Sequence, residues 1–555
     1  MTSIDFRGKE FVRNHHLSIP FHPLEFQDGQ SIGDDGLNGN LIVNADNLLA
    51  LKALLPHFAN QVSCIFIDPP YNTGNENWIY NDNMNAPYID EWLGHTVGID
   101  DGLRHDKWCA MMWPRLRLLY ELLSPDGSLW VTIDNNESYR LRAILEEIFG
   151  EAGFIAEIAW CHSDNSNNNT NQFSEDFNTI LVFSKNPDWR PNFLPYPDRQ
   201  THFSNRDDDP RGPWFDGNPI NNPAVRENLQ FIIPANMFRS THTGHHLEPI
   251  ERDHQEITHP PNGWRWELAT MQEKFETGEL RISDEGNRII RRTYLEESNG
   301  LPPSSSWRPH IENDRLVWRT GHTRGAKSLL KRLFPERASA DLFPTPKPVE
   351  LLNYILQLAT RPGDLVLDSF AGSGTTAHAV LEMNAATEDD ARRFILVEMM
   401  DYCNTETAER VRRVINGTDN FDPIPGTFSY FTLGPALDAE NILAGEDLPP
   451  YEQLGQYMYN LVTSEILNPE TIDAENHYLG GTENRHVWMI YQPNADWLKS
   501  GAAALTLQFA RQVNETYPDS RHIVIAPANF AGHNRLRNEN LQIEFVSMPY
   551  ALFSQ

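Results

Sequence analysis

The stretch DLVLDSFAGSGTTAHAV, Asp364–Val380, decides how this chain folds. Apolar residues lead up to Asp368, glycines follow at 372 and 374, and an apolar segment then continues at helical spacing. This pattern predicts a strand, a tight loop and a helix, with Gly372 and Gly374 admitting positive φ and close approach of a ligand to the backbone. In an open α/β sheet, nucleotide-like ligands bind outside the carboxyl ends of the strands. The loop lacks both the Gly-Lys-Ser/Thr ending of a phosphate-binding loop and the third glycine of a dinucleotide fingerprint, so a ligand without a phosphate chain is favoured. A further strand, RRFILVEM, reaches Glu398 24 residues after Gly374, a spacing that suits an acid accepting hydrogen bonds from ribose hydroxyls. The bland alternative is a glycine turn that only packs a helix on a strand.

Upstream, CIFIDPPYNTG (Cys64–Gly74) ends a β-branched strand on Asp68 and two prolines. Each proline fixes φ near −65° and removes a backbone donor while keeping its carbonyl. A carboxylate beside such a carbonyl makes an acceptor-only cleft suited to a substrate amino group, and Tyr71 offers a flat face for an extruded base. Taken alone, Pro-Pro after a strand is ordinary loop chemistry. Its pairing with the glycine loop favours the functional reading.

Working outward, residues 1–39 read as a polar N-terminal arm. Residues 40–186 alternate strands (NLIVNAD, VSCIFID, GSLWVTID, FIAEIAW, NTILVFSK) with helices (NLLALKALLPHF, KWCAMMWPRLRLLYELLSP, NNESYRLRAILEEIFG) and form the first half of a catalytic domain. A long loop is expected over 72–107, with Trp78, Trp92, Trp108 and Trp113 around it as core residues or a stacking rim. Residues 187–340 lose the α/β rhythm and are rich in Pro, Gly, Arg, His and Trp, which marks a separate insertion. Regular order returns over 341–430, and 431–555 form a last α/β module.

The chain has 555 residues and a net charge of −32, which by itself disfavours a phosphate-rich partner. The distribution changes that reading. Residues 190–340 carry 18 Arg and 3 Lys against 8 Asp and 13 Glu and are neutral, whereas residues 431–555 carry 6 basic and 15 acidic residues. Base or phosphate contacts are therefore expected in the Arg-bearing middle, with Arg291, Arg292, Arg324, Lys327, Lys331 and Arg332 as the best clusters. For any single Arg a solvated insertion is the simpler reading, and GHTRGAKSLLKR also reads as an amphipathic helix. The acidic final module is a candidate for dimerisation or partner docking. Four well-separated cysteines without a CxxC pair argue against zinc and disulfides and suit a reducing cytosol, and the 20 histidines show no ligand spacing. The opening residues do not read as a signal peptide, and no apolar run approaches the ~18 residues of a membrane span.

DPPY and FAGSG together resemble the S-adenosylmethionine-dependent amino-methyltransferases of DNA, DPPY being the adenine-N6 form of the tetrad. Their order, with the insertion between them, is similar to the β-class permutation. Further stretches, among them NADNLLALKALLPHFANQVSCIFIDPPYNTGN, GPWFDGNP, GHTRGAKSLLKRLF and FPTPKPVELL, are similar to the modification (Mod) subunit of type III restriction–modification systems. The resemblance implies a Rossmann-like methyltransferase sheet with permuted motifs, the insertion 187–340 as a target-recognition domain, and methylation of adenine N6 in double-stranded DNA after base flipping. It implies that Asp68, Pro69, Pro70 and Tyr71 are catalytic, with Asp68 and the Pro69 carbonyl accepting the N6 hydrogens and Tyr71 stacking on the base. Asp368, Phe370, Ala371, Gly372, Ser373, Gly374 and Thr375 would line S-adenosylmethionine, with Glu398 on its ribose. Lys347, Asp46 and Asn72 fall where the family places further cofactor- or substrate-side groups, although Ala45 replaces the usual glycine before Asp46. Cytosine N4 is the alternative target, disfavoured by the DPPY spelling. A DNA-recognition subunit serving a nuclease–helicase partner is the alternative role. Expected partners are DNA, a second copy and a restriction subunit, in the cytoplasm of a prokaryote or encoded by a phage, with no metal.

Overall fold

The computed structural model describes residues 3–33, 35–73, 102–163, 176–193, 203–205, 211–216, 220–238, 253–283, 286–295, 302–312, 315–387, 390–437, 448–482 and 484–548, with the backbone of two further strand segments, Trp78–Ile79 and Thr96–Val97. They form two compact units, one of Met1–Arg190 with Ser304–Gln555 and one of Pro191–Pro303. No helix among the described residues is long and apolar enough to cross a membrane.

The first unit is built on a ten-stranded sheet. In chain order its elements are β1 (Leu24–Phe26), β2 (Leu41–Asn44), α1 (Asn47–Phe58), β3 (Val62–Ile67), α2 (Arg104–Leu122), β4 (Leu123–Ile133), α3 (Ser138–Phe149), β5 (Phe154–Cys161), β6 (Phe177–Ser184), β7 (Ser306–Trp307), α4 (Thr323–Leu333), α5 (Val349–Ala359), β8 (Leu365–Asp368), α6 (Thr375–Ala385), β9 (Arg393–Glu398), α7 (Glu409–Asn416) and β10 (Ser429–Leu433). The strand order is β1-β10-β2-β9-β8-β3-β4-β6-β5-β7. From β10 to β4 all neighbours are parallel, and β1 and β6 pair antiparallel with their neighbours. Strands covered on both faces should be apolar throughout. LVLD of β8 is fully buried, as are five of the six residues of VSCIFI and of RFILVE.

The pairing of β8 with β3, Val366 beside Cys64 and Leu367 beside Ile65, explains the permuted order. Asp68 and Asp368 stand 300 residues apart in sequence, yet both sit at the carboxyl ends of neighbouring strands.

Several boundaries differ from the sequence reading. The N-terminal arm is part of the core: Phe6, Val12 and Ile19 are buried in the main cluster, and β1 pairs with β10. Its apolar residues are too scattered to show a period, so sequence patterning could not reveal this. The division at 430/431 falls inside β10, and the last module packs Tyr457 on Phe21 of the arm at 4.3 Å. The insertion ends at Pro303 rather than 340. Residues 304–340 belong to the first unit, with β7 parallel to β5 and the Leu333 carbonyl at the end of α4 accepting from Arg413 of α7 (2.8 Å).

Within the expected loop 72–107, residues 74–77, 80–95 and 98–101 lie outside the described ones, as do the Trp78 and Trp92 side chains; α2 already begins at Arg104. Trp108 and Trp113 are core residues. In the last module a helix begins at Leu507, capped by the Thr506 hydroxyl, after a short strand Ala504–Leu505.

The second unit has its own core of Ile233, Phe238, Ile257, Trp264, Met271 and Phe275. Its three-stranded antiparallel sheet comprises Trp214–Asp216, Ile289–Tyr294 and Leu280–Ile282.

Candidate active site

A cavity of about 900 Å3 opens at the carboxyl ends of β9, β8, β3 and β4, and every residue lining it belongs to the first unit. One side is the tetrad Asp68–Tyr71. The phenol of Tyr71 donates to Asp68 Oδ1 (2.8 Å), Thr132 at the end of β4 donates to the same oxygen (2.5 Å), and Lys347 donates to Oδ2. The Lys347 ammonium also lies 5.3 Å over the Tyr71 ring. Burial and the neighbouring Asp68 carboxylate push the Tyr71 phenol well above its ordinary range, so it is a donor at any physiological pH. The Trp108 indole donates to the Pro70 carbonyl (2.7 Å). Among the described residues no donor reaches the Pro69 carbonyl, which leaves it beside Asp68 as an acceptor on the cavity wall. Asn178 faces the same space and donates to the Tyr71 oxygen (3.3 Å).

The other side is the glycine loop. Ser369, Phe370 and Gly372 line the cavity with Glu398, Met400, Tyr402, Phe343 and Pro344. Gly372 holds φ +51°, and a Cβ there would lie 2.9 Å from the Phe343 ring. The Glu398 carboxylate accepts from the backbone N–H of Gly372 (2.9 Å) and Met400 (3.0 Å), and burial pushes its pKa up. The Met399 N–H and the Tyr402 phenol also hydrogen-bond this carboxylate, which lines the cavity wall.

Not every residue expected on the cofactor contacts the cavity. Asp368 is buried behind the loop, where it accepts from Thr376 (2.5 Å) and the Phe370 N–H (3.1 Å); burial pushes its pKa up to about 7. Ser373 and Thr375 face the fully buried Arg410, whose guanidinium donates to the Ser373 hydroxyl (2.9 Å) and the Thr375 hydroxyl (2.8 Å). Gly374 packs against the Thr407 carbonyl, and Ala371 is buried. These residues shape the loop. Asp46 caps α1 through the Leu48 N–H (2.8 Å) and pairs with Arg115 (3.3 Å); its neighbours Asn47 and Arg115 line the cavity instead. Asn72 turns its amide to Glu137 (2.6 Å) and the Arg104 carbonyl (3.2 Å) and is not among the residues lining the cavity.

The basic candidates are scattered. Lys327 donates to the carbonyls of Leu342 (2.8 Å) and Phe343 (2.5 Å), Lys331 to that of Pro335 (3.0 Å), and Arg332 to that of Asn420 (3.1 Å). They hold α4 in place, because an amphipathic helix turns its basic side to whatever carbonyls lie there. In the second unit Arg292 is buried over Trp214 (4.1 Å), and Arg291 pairs with Glu279 (2.8 Å). Of the six, Arg324 and Arg332 are exposed. The sequence reading missed Asn47, Arg115, Ser369, Asn178 and Phe343. All five lie inside stretches quoted above, Arg115 and Asn178 in segments read only as a helix and a strand, and the sheet order brings them to one cavity.

The DNA methylase family profile matches residues 62–409. The StyLTI Mod subunit of a type III restriction–modification enzyme from Salmonella typhimurium is 27% identical over 417 residues, covering 72% of this chain and 58% of its own. The EcoP15I Mod subunit from Escherichia coli is 27% identical over 436 residues, covering 72% and 64%, and the EcoPI Mod subunit from Escherichia phage P1 is 28% identical over 431, covering 72% and 64%. The chain thus spans about three fifths of the length of these relatives.

Proposed function

Because the chain belongs to the DNA methylase family, we propose that it transfers a methyl group from S-adenosylmethionine to the N6 amino group of adenine in double-stranded DNA. The observation that carries this reading is the pairing, in one cavity, of Asp68 and the open Pro69 carbonyl with the Gly372–Glu398 cradle. The cradle fits a nucleoside: Glu398 suits ribose hydroxyls, Phe370, Pro344 and Met400 offer apolar walls, and a side chain at Gly372 would collide with Phe343. The cavity volume is within the ~300–1,000 Å3 range of small-molecule sites.

S-adenosylmethionine, when bound, supplies an electrophilic methyl group on a sulfonium. The chain's own residues prepare the nucleophile. Asp68 and the Pro69 carbonyl accept the two hydrogens of an exocyclic amine, which draws that nitrogen out of conjugation and frees its lone pair. Tyr71, held through its phenol by Asp68 and Asn178, offers its ring to the extruded base. Lys347 balances the carboxylate until the amine arrives. Positioning and exclusion of water carry the reaction, with no covalent enzyme intermediate.

The similar proteins are modification subunits of type III restriction–modification enzymes. On that likeness we read the chain as the modification part of such a system, acting in the cytoplasm, with DNA, a restriction subunit and a second copy of itself as partners. Incubation with methyl-labelled S-adenosylmethionine and plasmid DNA, followed by nucleoside mass spectrometry, tests the target. N6-methyladenine is the expected product; label in N4-methylcytosine, or in no base, refutes the assignment.

A further inference from the structure

Glu137 is a carboxylate with no solvent exposure, seated between β4 and α3. Such a group persists only if its acceptor sites are filled. The Asn72 amide donates to it (2.6 Å), the His105 ring contacts the same oxygen, and Arg140 reaches the other (3.3 Å). These partners come from the turn after β3, from α2 and from α3. Asn72 directly follows the tetrad and sits at φ +59°, a left-handed conformation uncommon outside glycine. His105 opens α2, and one turn later on that helix Trp108 takes the Pro70 carbonyl. The tetrad turn is therefore held at two points by one buried hub. Glu137 fixes Asn72 and the first turn of α2, and α2 in turn occupies the Pro70 carbonyl. What is left open to the cavity is the Pro69 carbonyl.

We propose that Glu137 is a positioning residue for methyl transfer, acting through Asn72 and α2 to select which tetrad carbonyl faces the substrate amine. This rests on the proposed function for its catalytic consequence but not for its structural one. The two are separable by experiment on the full chain, comparing wild type with Glu137→Gln, Glu137→Ala and Asn72→Ala. Hydrogen–deuterium exchange needs no activity. It should accelerate over residues 66–73 and 104–108, in the order Ala, Gln, wild type at position 137, with no change over 365–376. Glutamine keeps an acceptor for Asn72 but loses the charge facing His105 and Arg140, so it should rescue in part; a space-filling role would make it equal to wild type. In methylation assays kcat should fall roughly 100-fold in Glu137→Ala, the cost of a misplacement of about 1 Å, while KM for S-adenosylmethionine holds. The double variant Glu137→Ala/Asn72→Ala should lose no more than the worse single one, since both break one link. Unchanged exchange at 66–73, or acceleration spread equally over 365–376, overturns the inference. Should Glu137→Ala fail to fold, Glu137→Gln and Asn72→Ala decide by the same readings. A wild-type chain that methylates no adenine defeats the proposed function, and the exchange pattern still judges Glu137.

Discussion

At Asp68 three donors, Tyr71, Thr132 and Lys347, converge on one carboxylate. The tetrad was legible because a carboxylate followed by two prolines has few uses at a strand end. Which side chains of FAGSGTT meet a ligand was not legible, because a motif identifies a loop and the curl of the loop decides its faces. Asp368 shows the difference: it anchors the loop from behind, with a carboxyl that burial pushes up to about 7 from an ordinary 3.8. A raised carboxyl pKa means that the folded state holds its proton more tightly than the unfolded state. Its contribution to stability is then complete below about pH 4 and lost as pH rises to about 7. Urea titrations across that window should show a fall in midpoint with rising pH that is shallower in Asp368→Asn; an identical slope in the variant contradicts the assignment.

At the scale of elements, the glycine loop is held by what packs behind it. Arg410 follows a one-turn π-helical segment, Cys403–Ala408, whose Thr407 hydroxyl donates to the Gly372 carbonyl (2.5 Å). Such bulges often occur at functional sites. No sequence pattern announced this one, since TETAERVRRVI reads as an unbroken helix. Gly374 at φ +76° has the Thr407 carbonyl 2.9 Å from where a Cβ would be, an obstacle made of backbone, whereas the obstacle at Gly372 is the tip of a Phe343 ring. Gly374→Ala should therefore cost stability, roughly 1–2 kcal/mol from the left-handed conformation alone and more from the contact, measured by denaturant melts. Gly372→Ala carries the same left-handed cost at φ +51° but meets only a movable ring tip, so it should cost less stability and should in addition lower cofactor affinity, measured by calorimetry. The reverse ranking would mean that the loop is supported differently.

For the whole molecule, the α/β alternation and the interrupted catalytic domain were legible, because buried parallel strands are apolar on both faces and the insertion breaks that rhythm. The ends of the domains were not. An arm that contributes isolated apolar residues has no period, and a strand shared between a domain and its neighbour has no boundary signal. Deleting residues 1–39 removes Phe6, Val12, Ile19 and Phe21 from the core, each side chain worth about 1.5–3 kcal/mol on burial, along with edge strand β1. The truncated chain should be insoluble or melt far below the full chain, and one that melts with the full chain would return the arm to a dispensable role. The central claim is that one cavity joins an amine-accepting carboxylate to a cofactor cradle through neighbouring strands of a permuted sheet. Its most direct test compares wild type with Asp68→Ala for methyl transfer to plasmid DNA and for S-adenosylmethionine binding in the same preparation. The account predicts N6-methyladenine at a recurrent sequence in wild type, none in the variant, and cofactor affinity essentially unchanged; a variant that still methylates adenine would contradict it.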